Sequence, residues 1–198
     1  MKRITTVLFC LISAGLFTAC DDEVPQNEAP QQVFAAKADL VDYFSGNTDT
    51  PTYGQATFTQ NSEGVVSLTI EVDYAELGGR TMGVHIHEGG LENPGMHFNA
   101  DLGMEKACSE VSLGESWNKP YIGDVGNLVT NDEGVGSLTV STDLWNLNDT
   151  EAANNILNRT LIIHFGESFF TMECDPNHVP DHSHPNAKFV AGLITASE

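Results

Sequence analysis

"MGVHIHEGG", Met82 to Gly90, places two histidines one residue apart in a run of apolar residues. Side chains alternate along a β-strand, so His85 and His87 share one face, about 6.6 Å apart along the strand, and Val84 and Ile86 share the other. Such a strand would carry a metal seat backed by a hydrophobic core. The chain has only seven histidines and none precedes His85, which makes the pair a concentrated signal.

The segments on either side read as further strands. "VFAAKADLVD" (33–42), "YGQATFTQ" (53–60) and "GVVSLTIEVD" (64–73) precede the histidine strand "GRTMGVHIHE" (79–88). "NSEG" between the second and third marks a hairpin turn. "DVGNLVT", "NDEG" and "VGSLTVST" (124–142) read as a second hairpin, "ILNRTLIIHF" (156–165) as an apolar strand and "KFVAGLITA" (188–196) as the last. Within "TDLWNLNDTEAANNIL" there is room for a short helical turn, but no long amphipathic helix is evident. Seven or eight short strands with Gly and Asn turns predict an all-β, Greek-key barrel or sandwich. Two poorly periodic stretches, Gly89 to Gly123 and Gly166 to Asn186, are long enough to be functional loops.

A formal net charge of −20 excludes a nucleic-acid binder, because phosphate contacts need clustered Lys and Arg. It also argues against holding an anionic membrane by charge. Met1 to Arg3 followed by a mainly apolar stretch, Ile4 to Ala19, suits an export signal, being shorter than the ~20 residues of a membrane span. The stretch ends "LFTAC" at Cys20, which resembles a bacterial lipoprotein signal, with the cysteine lipidated as the new N-terminus. The alternative is an ordinary cleaved signal with an incidental cysteine. The expected organisation is a signal over 1–19, a lipidated Cys20 and polar tether over 20–32, and one domain over 33–198. The chain would then be exported, periplasmic or at the cell surface, and would touch the membrane through its lipid alone. Cys10 leaves with the signal, and two cysteines remaining in an exported chain, Cys108 and Cys174, favour one disulfide.

His97 lies in "GMHFNA" at the start of the first long loop, and His164 closes the apolar strand before the second. With His85 and His87 they form a set of imidazoles from distant segments, and four imidazoles without thiolate suit copper or zinc. His178, His182 and His184 cluster in "NHVPDHSHPN"; they are either auxiliary metal ligands or a polar surface loop, the latter favoured.

"GVHIHEGG", "GMHFNA", "YIGDVGNLVTNDEGVGSLTV", "NRTLIIHFGES" and "KFVAGLITA", in this order, together resemble the copper/zinc superoxide dismutase family over about residues 33–196. The resemblance implies an eight-stranded Greek-key β-barrel with a metal-binding loop and a channel-shaping loop. It implies copper ligands at His85, His87, His97 and His164, with His97 bridging to zinc and helping to deliver protons. The implied activity is dismutation of superoxide to O₂ and H₂O₂. Family barrels dimerise through different faces, so a homodimer is compatible with the resemblance.

The chain departs from the family pattern at three places. The zinc site keeps His97 and Asp124, but Tyr121 replaces a ligand histidine and no other histidine lies between His97 and Asp124; a structural zinc wants four ligands. Either the site is copper-only, the favoured reading, or His178, His182 and His184 rebuild it. Ala191 replaces the family's cysteine, so Cys108 and Cys174 are expected to bridge the two long loops instead. Lys188 stands where the family has a channel arginine, keeping the charge without the bidentate fork; it attracts superoxide or is a solvated strand-edge lysine. The expected function is copper-dependent superoxide dismutation outside the cytoplasm. The runner-up is a non-catalytic copper-binding or storage protein on the same fold.

Overall fold

The computed structural model describes residues 34–43, 52–100, 122–166 and 188–197. Alternation of apolar and polar residues produces the first strands, as in β2 (Gly54–Gln60), where Ala56, Phe58 and Gln60 are buried and Gln55, Thr57 and Thr59 are exposed. It is flanked by β1 (Phe34–Asp42) and β3 (Val66–Asp73). A single 3-10 turn, Ala75–Leu77, which the sequence pattern did not signal, leads to β4 (Thr81–His87). Then come β5 (Asp124–Val129), β6 (Val135–Thr142), β7 (Thr160–His164), β8 (Lys188–Leu193) and β9 (Thr195–Ser197).

All pairings between these strands are antiparallel, in the order β5-β4-β7-β8-β1-β2-β3-β6, with the short β9 also on β1. The outermost strands of that path, β5 and β6, are consecutive in the chain and share the bridge Thr130–Gly136 across a tight turn. The sheet therefore curls into a nearly closed barrel, which leaves little exposed strand edge. The expected all-β barrel is thus present, with eight strands on the path and the ninth beside it. Among the described residues no helix is long and apolar enough to cross a membrane.

The two turns "NSEG" and "NDEG" are built alike. Asn61 Oδ1 accepts from the N–H groups of Glu63 and Val65 (3.0 and 2.9 Å), and Asn131 Oδ1 from those of Glu133 and Val135 (3.1 and 2.9 Å). The same chemistry removes the helical turn anticipated after Thr142. Asn146, Asp149 and Asn155 side chains accept the N–H groups of Asp149, Glu151 and Leu157, which competes with helix. Two strands depart most from the anticipated bounds. β7 begins only at Thr160, after a turn in which Asn158 has φ 62°. The last strand divides at Ile194, whose N–H donates to the Arg159 carbonyl (2.9 Å) and whose carbonyl accepts from Asn158 (2.8 Å).

The core fills the barrel. Val84 and Ile86 of β4 and Leu161 and Ile163 of β7 point into it. Register pairs His85 with Ile162 and His87 with Thr160. His85, His87 and His164 therefore share the opposite face of these two neighbouring strands.

Candidate metal centre

Four side chains meet on that face. One ligating nitrogen from each of His85, His87, His97 and His164 can be chosen so that all lie within 4.8 Å of one another. Opposed nitrogens bound at ~2.0–2.1 Å lie about 4 Å apart, so small inward shifts of the rings would seat one ion. His85, His87 and His164 are buried, whereas the His97 side chain is 32% exposed.

Two backbone irregularities aim these residues. Between β4 and β5 the register shifts at Val84/His85, so that His85 faces Asp124. Between β7 and β8 it shifts at Ile163/His164, so that His164 faces Lys188. Bulges of this kind redirect side chains beside functional sites. His97 arrives by a different route. The chain turns back after β4 and forms a bridge from His97 to His87.

Three backbone hydrogen bonds of 2.8 Å each then lock the segments into a triangle: Phe98 N–H to Ile86 O, Ile86 N–H to Gly123 O, and Gly123 N–H to Phe98 O. A Cβ on Gly123 would strike the Ile86 carbonyl, so only glycine fits there.

Hydrogen bonds orient the rings. His87 Nδ1 lies 3.0 Å from the Gly95 carbonyl, an acceptor only, so Nδ1 carries the proton and Nε2 faces inward, 3.3 Å from His164 Nε2. Gly95 supplies that carbonyl from φ +72°, a conformation that favours glycine. His97 Nδ1 lies 2.9 Å from Asp124 Oδ1, which likewise turns Nε2 toward the other rings. Asp124 is buried and its Oδ1 is also 3.9 Å from His85 Nε2. Burial first, and then the neighbouring His97, His164 and His87, hold His85 well below the ordinary imidazole pKa. A neutral imidazole keeps a lone pair for ligation. The donor set, four imidazoles with a carboxylate behind one of them, fits copper or zinc.

The family model for copper/zinc superoxide dismutase (SODC) matches residues 52–188. The chain belongs to the copper/zinc superoxide dismutase family. Among superoxide dismutases of this family, the Cu-Zn superoxide dismutase of Yarrowia lipolytica is 30% identical over 125 residues, covering 60% of this chain and 74% of that protein. Two solved structures of an SOD-like protein from Bacillus subtilis, a single and a double mutant, align with a TM-score of 0.56 and 19% identity. They cover 80% of this chain and 97% and 96% of their own. At that identity they speak for the dismutase fold alone.

The structure thus brings His85, His87, His97 and His164 together and sets Asp124 against His97. Lys188 begins β8 as the register partner of His164. Cys20, Cys108, Cys174, His178, His182 and His184 lie outside the described residues. The sequence pattern did not single out the Gly95 carbonyl or the Gly123 triangle. The glycine-bearing runs "NPG" and "YIGD" beside His97 and Asp124 were the available signal for them.

Proposed function

We propose that this chain is a copper-dependent superoxide dismutase acting outside the cytoplasm, converting two superoxide anions and two protons into O₂ and H₂O₂. The observation that carries the reading is the convergence of His85, His87, His97 and His164 in a member of the copper/zinc superoxide dismutase family. These four would hold copper, which supplies one-electron chemistry when bound, and neutral imidazole suits both of its common oxidation states. His97 is the most exposed of the four side chains, which sets it nearest solvent, and its Nδ1 donates to Asp124.

The donor count favours copper over a copper–zinc pair: of the family's zinc ligands this chain keeps His97 and Asp124, with Tyr121 in place of a ligand histidine, and a structural zinc wants four. His97 Nδ1 lies 2.9 Å from the Asp124 carboxylate. Asp124 then acts as the orienting acceptor behind a ligand, a common arrangement at metal sites. Lys188, across from His164, is proposed as the local cation that draws an anionic substrate into a molecule of formal net charge −20. The proposed location is a periplasmic or cell-surface membrane, with Cys20 lipidated.

Metal analysis and a superoxide assay on one dialysed sample test this reading. Copper with turnover and without stoichiometric zinc is the expected result. Copper without turnover selects the storage protein on the same fold. Stoichiometric zinc lost on changing His182 and His184 to alanine overturns the copper-only site.

A further inference from the structure

We propose that Arg159 is a positioning residue for this centre, holding the returning 88–98 loop so that His97 faces the other three histidines. The proposal rests on reading those histidines as metal ligands. His97 reaches the site from a loop rather than a strand, so its placement depends on what fastens that loop. Inside the loop, Glu88 N–H donates to the Met96 carbonyl (3.0 Å) and Gly89 N–H to that of Pro94 (2.8 Å). These bonds shape the loop without attaching it to the strand beside it.

Beside the backbone bonds of Phe98 to Ile86 and Gly123, Arg159, just before β7, and Thr160, its first residue, attach the loop to that strand. Arg159 Nη1 donates to the Glu88 carbonyl (2.7 Å), and Thr160 Oγ1 donates to the Gly89 carbonyl (2.8 Å). The guanidinium carbon lies 3.6 Å from the centre of the Phe98 ring. Phe98 is buried and follows His97 directly. Arg159 is itself anchored, through Nε to the Asn155 carbonyl (2.7 Å) and through its own carbonyl to Ile194 N–H (2.9 Å). A planar guanidinium can hold two carbonyls in its plane and stack a ring on its face at once. Lysine, a point charge on a flexible stem, cannot. Both ends of the returning loop, Glu88 and Phe98, thus rest on one half-buried side chain.

The test uses the full mature chain and two variants that reach the same contact from opposite sides, Arg159→Lys and Phe98→Leu. Copper affinity is measured by competition with a chromophoric chelator, and the site is read by the Cu(II) EPR spectrum. Each folded variant should bind copper roughly tenfold to a hundredfold more weakly, as expected for loss of a supporting contact behind a ligand, with an altered spectrum. Amide exchange in the metal-free protein should speed up at Met96 to Phe98 while β2 and β3 keep their protection. If one variant fails to fold, the other decides. A folded variant with the parent's affinity and spectrum overturns the role of Arg159 and leaves the metal reading intact. A parent protein that binds no copper overturns the metal reading itself.

Discussion

Asp124 Oδ1 and His97 Nδ1, 2.9 Å apart, decide how the most exposed ligand candidate is turned. The carboxylate is buried, and the bulge sets its residue opposite His85, beside the histidine face. Asp124→Ala should therefore lower copper affinity by about 10–100-fold, read by chelator competition, whereas Asp124→Asn keeps an acceptor oxygen and should lose less. Equal affinity in all three proteins would contradict the orienting role. A residue-scale effect of another kind concerns Tyr53. Burial first, then the Asp42 charge and the Tyr74 side chain, push its phenol up to about 12. The unfolded chain releases that proton near 10, so the folded state binds more protons between the two values. Stability is fully present below pH ~10 and is lost as pH rises toward about 12. Denaturation midpoints should fall over that window, and Tyr53→Phe should flatten the fall; parallel losses in both proteins would contradict it.

Among the elements, β2 does more than fill the barrel. Its last residue, Gln60, is buried, and Gln60 Oε1 accepts from the N–H groups of Leu147 and Asn148 (2.8 and 3.2 Å) while Nε2 donates to the Gly64 carbonyl (3.3 Å). Gln60→Leu keeps the volume and leaves the buried Leu147 N–H unsatisfied, which should cost about 1–3 kcal/mol in chemical denaturation. A change within error would contradict the clamp. Elements of this kind also mark how far the sequence could be read. Strict alternation made β1 to β3 plain, and the hairpin turns were plain because one asparagine in each binds two following N–H groups. The face shared by His85 and His87 followed from period two alone. The two bulges did not follow, because an extra residue such as Val125 or Phe189 shows only against the partner strand. The convergence of His97 and His164 on that face was legible from their placement beside the long loops and from the family resemblance, not from periodicity. Arg159 was not legible at all: in "NRTL" an arginine beside a turn reads as a solvated charge, and its ring and carbonyl partners come from segments distant in sequence.

For the whole molecule, a barrel wall of β4 and β7 carries His85, His87 and His164 and a returning loop brings His97, while the two long loops of the sequence lie largely outside the described residues. We propose that Cys108 and Cys174 join those two loops. Closing so large a loop stabilises by roughly 3–5 kcal/mol in the chain-entropy model, so reduction should lower the melting temperature, and thiol titration of the native protein should find Cys108 and Cys174 unreactive; reactive thiols at both would contradict the bridge. Four imidazoles from distant segments are proposed to build one catalytic copper centre without zinc. The rate of superoxide decay as copper is titrated into metal-free protein tests it. The rate should rise linearly and break at one copper per chain, with no further gain on adding zinc. Copper that binds at one equivalent without accelerating decay, or activity that appears only with zinc, would contradict it.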